Sequence, residues 1–198
     1  MKKTLKVAYL LDKNNFWIEK YIKKSNLLKK GKFVSKVFTD HKKIRNYEIV
    51  FILNYTKILN QTFLKKNKLN IVVHASNLPK GKGFSPMQWQ ILKNKNKIPI
   101  CLFKATSKVD SGEIYEKNYI FLRGTELYDE LRYKQAIATF KIIKKFLNKY
   151  PRIKGKKQKG KSTFYKRRTP QDSRLNINLS LKKLFNHLRL ANNTSWPS

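Results

Sequence analysis

Five apolar runs, separated by stretches with helical patterning, constrain this chain more than any other feature. They are "LKVAYLL" (Leu5–Leu11), "KFVSKVF" (Lys32–Phe38), "EIVFIL" (Glu48–Leu53), "NIVVH" (Asn70–His74) and "IPICLFKA" (Ile98–Ala105). Each has the length and the β-branched content of a strand. One helical pattern between them carries Trp17, Ile18, Tyr21, Ile22 and Leu28. A short one covers Gln61–Lys66 and a third runs Met87–Lys95. Strands that alternate with helices imply βαβ units. The expected fold is α/β: a Rossmann-like, mostly parallel sheet flanked by helices, with a short basic C-terminal accessory region. "EIYEKNYIFL" (Glu113–Leu122) reads as a β-ribbon of two short pieces around Lys117 and Asn118. A long amphipathic helix then runs from about Glu126 to Tyr150, with Leu127, Leu131, Ala138, Ile142 and Phe146 on its core face, and Pro151 ends it.

A chain of 198 residues is long enough for one core plus a tail. The division expected is a catalytic domain over 1–150 and a basic linker with a helical tail over 151–198. Pro151–Arg168 holds nine Lys or Arg and no acid, which reads as a solvated, mobile linker. A closing helix over Ser180–Leu190 would bury Leu181, Leu184, Phe185 and Leu188. No run approaches the roughly 18–20 apolar residues of a membrane helix. The start, "MKKTLKVAYLLDKNN", reads as a first strand rather than a leader. The lone Cys101 excludes an internal disulfide, reads as a small core hydrophobe and fits a cytoplasmic protein. No metal is expected, and a homodimer is compatible with the sequence.

The net charge is +35, from 46 basic and 11 acidic residues. Such a charge attracts polyanions, nucleic acid first among them. Yet 38 of the basic residues are Lys and 8 are Arg, the residue favoured for bidentate phosphate and base readout. Nucleic acid is therefore an open but not a favoured partner, and affinity for a phosphorylated small substrate is the milder inference.

No G-x-G-x-x-G follows the first strand, so a dinucleotide fingerprint is absent. The glycine- and lysine-rich stretch Gly155–Ser162 lacks the spacing and the preceding strand of a P-loop. In a parallel α/β sheet, ligands bind outside the carboxyl ends of the strands. His74 ends the fourth strand, and "KVDSGEIY" places Asp110 and Gly112 just after the fifth. A histidine beside a carboxylate is a general base with an orienting partner. The plainer alternative is that His74 caps a loop and Asp110 starts a turn. His41 and His187 read as ordinary loop and helix residues.

"HASNLPKGKGFSP" resembles the H-x-S-L-L-P-x-x-x-G-x-x-P loop of the N10-formyltetrahydrofolate-dependent formyltransferases. "KVDSGEI" is similar to that family's x-x-D-x-G-D-I segment, and "ILNYTKIL" (Ile52–Leu59) to its A-Y-G-x-I-L stretch. The tail from Phe164 looks like that of members ending in a short accessory region. The resemblance implies formyl transfer from N10-formyltetrahydrofolate to an amine. It implies His74 as general base and Asp110 as its orienting partner, with Asp110, Tyr55 and Ile58 near the folate. The loop of Pro79, Lys80, Gly81 and Gly83 would hold both substrates, and Lys80, Lys82 or Arg123 would meet acceptor phosphates. The family pattern is N-x-H, and this chain has Val72 in place of the Asn, on the same strand face as His74. Losing an oxyanion donor costs about 10²–10³ in rate. Asn70, Ser76 and Asn77 are the candidates to replace it.

Within that family the acceptor is the methionine of initiator tRNA, glycinamide ribonucleotide, or an amino sugar on a nucleotide. The form H-x-S-x-L-P-x-G-x-G-x-S-P-x-x-W-Q, with Trp89 and Gln90, most resembles the sugar-modifying members connected with surface glycans. The residues after Pro151 are too few and too polar for the β-barrel of the tRNA enzyme. A nucleotide-linked amino sugar is the leading expectation. A tRNA formyltransferase with a reduced tail, or a catalytically degenerate domain that binds polyanions, are the alternatives. The ending "NNTSWPS" leads us to expect a truncated C-terminus, with Trp196 lacking its full packing surface.

Overall fold

A computed structural model describes residues 4–13, 17–25, 29–30 and 33–192. Leu28 and Trp196, singled out above, lie outside the described residues. In chain order the elements are β1 (Leu5–Leu11), α1 (Glu19–Lys24), β2 (Lys29–Lys30), β3 (Phe33–Phe38), β4 (Ile49–Leu53), α2 (Gln61–Lys65) and β5 (Leu69–His74). There follow β6 (Lys82–Gly83), α3 (Pro86–Leu92), β7 (Lys97–Lys104), β8 (Ile114–Phe121), α4 (Tyr128–Lys149), β9 (Phe164–Tyr165) and α5 (Leu181–Leu190).

Seven strands form one sheet in the order β2-β3-β1-β4-β5-β7-β8. Its centre, β3-β1-β4-β5, is parallel, as the alternation of strands and helices requires. β2, β7 and β8 join in antiparallel fashion. The direction of β7 matters for the site, because its carboxyl end at Lys104 lies beside Ile71 and not beside His74.

From Val7 to Leu11 in β1 and throughout β4 both faces are covered, which is why these stretches are continuously apolar rather than alternating. On one face Val7, Tyr9, Phe51, Ile71 and Leu102 pack with Ile142, Ile143 and Phe146 of α4. Tyr9 stacks on Phe51 at 5.5 Å, and Phe146 meets Phe51 edge-on at 6.0 Å. On the other face Ala8, Leu10, Val50 and Ile52 pack with Phe63 of α2. Burial of this kind contributes about 25 cal/mol per Å² of apolar surface.

Four expectations change. Leu127 is 54% exposed and precedes α4 rather than lying in its core face. β8 is one continuous strand and not a ribbon, because β7 pairs with it from Lys97–Phe121 through Phe103–Ile114, with one irregularity at Leu102/Phe103. In α5 the buried residue is Arg189, while Leu181 is 66% exposed. Pro151–Arg168 is not a free linker. Lys156 bridges Ile114, and β9 runs parallel to β6. Among the described residues no helix is long and apolar enough to cross a membrane.

Candidate active site

β5 delivers His74 to the carboxyl end of the parallel strands, where it is 9% exposed. Its Nε2 lies 2.8 Å from the Gly81 carbonyl oxygen. A carbonyl only accepts, so Nε2 carries a proton, and in the neutral ring Nδ1 is the acceptor. The Oδ2 of Asp110 stands 3.7 Å from the same Nε2 and accepts from the Gly83 amide at 2.8 Å. The expected pair is therefore assembled, with the carboxylate against Nε2–H.

Because β7 runs against β5, the loop 105–113 must double back along the sheet to reach His74. The Lys104 amide closes its base by donating to the Glu113 carbonyl. Gly112 passes so close to the Lys104 carbonyl that any Cβ would collide with it. Asp110 itself adopts φ +46, the left-handed region that costs a non-glycine residue about 1–2 kcal/mol. The opposing loop is shaped by Gly81 at φ +75 and Gly83 at φ +94, the positions where the chain turns its backbone toward His74 and Asp110.

The three candidate donors have different surroundings. The Asn70 amide donates to the Leu64 carbonyl at 2.8 Å, tying β5 to α2. Asn77 accepts from the Lys117 ammonium at 2.9 Å on an exposed surface. Ser76 is buried, and its Oγ has no partner among the described residues. Its Cβ would stand 3.1 Å from a Cβ placed on Gly81. Ser76 and His74 thus converge on Gly81.

Other sequence candidates divide as follows. Lys80 is exposed. Lys82 is 5% exposed, its ammonium donating to Ser111 Oγ at 2.9 Å and lying 5.8 Å from the Phe164 ring centroid. Arg123 is exposed and pairs with Glu126 and Glu130 at 3.8 and 3.6 Å. The Tyr55 hydroxyl meets His41 Nδ1 at 2.8 Å, and burial pushes its phenol pKa up. Ile58 is 75% exposed on the loop after β4. Cys101, opposite His74 on β7, has its thiol pKa raised by burial and donates to the Ser76 carbonyl at 3.0 Å, as an inert core residue would.

Sequence reasoning missed the tail's part in this site. Gln158 Nε2 donates to the carbonyls of Asp110 and Gly112, both at 2.9 Å. Thr163 Oγ1 accepts from the Gly81 amide at 2.9 Å, and the Tyr165 ring lies against Gly81. The signal available was the polar, uncharged set Gln158, Ser162 and Thr163 inside an otherwise cationic run.

The model of the formyl transferase family, in its N-terminal form, matches residues 6–143, the span that holds both loops and all of the seven-stranded sheet but Leu5. The chain belongs to the formyl transferase family. This formyl transferase domain is 28% identical over 152 residues to the methionyl-tRNA formyltransferase of Francisella philomiragia, a match covering 76% of this chain and 48% of that protein. The chain thus spans about half the length of that curated relative. Among solved structures, a methionyl-tRNA formyltransferase from Clostridium thermocellum superposes with a TM-score of 0.81 at 21% identity, covering 98% of this chain and 86% of that one. WlaRD, a sugar 3N-formyl transferase solved in the presence of dTDP and 5-N-formyl-THF, does so at 0.66 and 20% identity, over 94% and 79%. These two likenesses concern the fold.

Proposed function

We propose that this formyl transferase moves the formyl group of N10-formyltetrahydrofolate to the primary amine of a nucleotide-linked amino sugar. The observation that carries the reading is the His74–Asp110 pair, with His74 buried at the carboxyl end of β5 and the Gly83 amide on the half-buried Asp110 carboxylate.

The residues present fit a folate donor. The loops that hold Tyr55 and Leu59 on one side and Ala105 on the other border one apolar cluster, which also takes in Val72. Each loop turns an apolar side chain outward, Ile58 and Val109, 75% and 43% exposed. A flat, partly apolar ring with polar edges suits an apolar surface of this kind. When bound, the donor supplies an electrophilic formyl carbon.

The chain's own groups then divide the work. His74 Nδ1 accepts the proton that the amine loses as its nitrogen bonds to the formyl carbon, and His74 later releases that proton to the leaving nitrogen. Asp110 balances the imidazolium charge in between. Ser76 Oγ, buried and unpartnered, donates to the formyl oxygen as negative charge builds there. It takes over the part that an amide at Val72 would play. Exposed Lys80 borders the acceptor's phosphates, and Gly81 and Gly83 give the backbone close approach. Residues 1–150 carry the chemistry in this reading, and the family match over 6–143 supports it.

The sugar acceptor draws support from the likeness to WlaRD. A methionyl-tRNA acceptor is the second reading, favoured by the matches to the Francisella and Clostridium enzymes. Mass spectrometry on the purified chain separates them, with N10-formyltetrahydrofolate offered alongside nucleotide-linked 3- and 4-amino sugars or initiator methionyl-tRNA. The expected result is a sugar product heavier by one formyl group, reduced about 10²–10⁴-fold in His74→Ala and about 10²–10³-fold in Ser76→Ala. Formyl-methionyl-tRNA in place of a formylated sugar overturns the acceptor. An undiminished rate in Ser76→Ala overturns the role of Ser76.

A further inference from the structure

The basic segment after α4 makes contacts that a tether between domains would not need. Lys156 and Ile114 exchange two backbone hydrogen bonds of 2.9 Å, which fixes the segment along the start of β8. Gln158 then inserts its side chain behind the Asp110 loop. One amide nitrogen serves two carbonyls, those of Asp110 and Gly112, on either side of Ser111. Five residues on, the segment reaches the opposite loop. Thr163 Oγ1 accepts from the Gly81 amide, the Thr163 amide donates to the Pro79 carbonyl at 3.3 Å, and the Thr163 carbonyl accepts from Lys82 at 2.9 Å. The Tyr165 carbonyl accepts from the Phe84 amide at 3.1 Å, completing the β6–β9 pair.

These attachments fall on the backbone units that orient His74. Gly81 is the residue whose carbonyl receives His74 Nε2–H, and its own amide is held by Thr163. Asp110 is the residue whose carboxylate faces the same nitrogen, and its own carbonyl is held by Gln158. Both residues have positive φ. A non-glycine residue keeps such a conformation only when its surroundings over-determine it. For Asp110 the constraint comes from Gln158 and from the Gly83 amide, and without them the backbone is free to relax and swing the carboxylate aside.

We propose that segment 156–165 is a working part of the active site, with Gln158 and Thr163 as positioning residues that fix Asp110 and Gly81 against His74. The proposal rests on the reading of His74 and Asp110 as the reacting pair, and on no particular acceptor. Its nine cationic neighbours in Pro151–Arg168 are incidental to this role, since the contacts are made by backbone, an amide and a hydroxyl.

The test uses the full chain with three substitutions. Gln158→Glu keeps the side-chain length and removes the donor. Thr163→Val keeps the shape and removes the hydroxyl, and Thr163→Ser restores it. The first readout is the set of ¹⁵N signals of the His74 ring, assigned by their loss in His74→Ala. The second is kcat and KM for formyl transfer, and the third is the melting temperature. Gln158→Glu and Thr163→Val should shift the His74 ring signals and lower kcat about 10–100-fold, as misplacement of a reacting group does. KM should stay within about threefold, and Thr163→Ser should restore both signals and rate. Ring signals that stay in place in both donor-lacking variants overturn the proposal, whether or not the melting temperature falls. Failure of Thr163→Ser to rescue what Thr163→Val loses overturns the role of Thr163. If neither amino sugars nor tRNA are formylated, the ring signals still decide the positioning role, so failure of the functional reading is told apart from failure of this one.

Discussion

Arg189→Met should loosen the C-terminal end of this protein, and the size of the effect follows from one buried pair. Glu126 is fully buried and Arg189 is 1% exposed. The guanidinium meets the carboxylate at 3.1 Å, the Glu126 carbonyl at 3.1 Å and Asn186 at 2.8 Å. The carboxylate also accepts from the Lys134 ammonium at 2.7 Å and from the Arg123 and Gly124 amides. Burial alone would push the Glu126 pKa up. The Lys134 ammonium and the Arg123 and Gly124 amides outweigh it and hold the pKa at about 2. An unfolded Glu titrates near ~4.3, so the gap corresponds to about 3 kcal/mol of stability at neutral pH. Its sign is set by the lowered folded value: the stabilisation is complete above pH ~4.3 and is lost as pH falls towards ~2. Removing one partner of a buried pair costs about 3–5 kcal/mol. Arg189→Met belongs at the low end, because Glu126 keeps its ammonium and two amides. For a chain of this size 1 kcal/mol lowers the melting temperature by about 2–4 °C. Arg189→Met should then melt about 6–12 °C below the wild type at pH 7. Calorimetry of Glu126→Gln between pH 7 and pH 2 should show its deficit shrinking below pH ~4.3. A melt of Arg189→Met within about 2 °C of wild type would refute the anchoring of α5 through Glu126.

Two further substitutions probe the loop and the core. Gly81→Ala must place a Cβ 2.7 Å from Tyr165 Cε2 at φ +75, so kcat should fall at least about 10-fold and the melting temperature by a few degrees; an unchanged rate in steady-state assays would show that β9 does not press on the site. Phe146→Ala empties a fully buried position between Phe51, Tyr115 and Tyr150 and should cost about 3–5 kcal/mol in urea unfolding, with kcat per folded molecule unchanged.

The strands of the central sheet were legible because each is a short apolar run between polar stretches, a pattern that depends only on neighbours in the chain. The meeting of His74 with Asp110 was expected from strand ends on one edge of a parallel sheet, and the structure reaches it by another route, because β7 is antiparallel and the loop 105–113 doubles back. The direction of β7 was not legible. "IPICLFKA" is apolar throughout and reads the same for a parallel as for an antiparallel neighbour. Lys117 and Asn118 looked like a turn, and pairing with Cys101 and Ile100 overrides that local preference. Arg189 escaped notice because its partner, Glu126, lies far off in the sequence. In the tail, the lysines that dominate the composition face solvent, while the attachments run through backbone groups, Gln158 and Thr163. Composition cannot encode a backbone ladder.

The packing around Val72 supplies a physical reason for the proposed placement of the oxyanion donor in the loop. It packs against both the Leu10–Ile52 cluster and the Cys101–Phe103 cluster, opposite Ile52 on one side and Phe103 on the other. An amide there would be set among apolar side chains on a face where Asn70 Oδ1 already lacks a partner among the described residues. Each buried, unpaired polar atom costs about 1–3 kcal/mol. With Val72 the face closes as apolar packing, and in the proposed reading the polar duty passes to Ser76, two residues beyond His74. That residue stands on a loop whose shape depends on Gly81, and Gly81 is held by Thr163. In that reading, a valine at position 72 makes the proposed site depend more heavily on its loop, and through the loop on the basic tail.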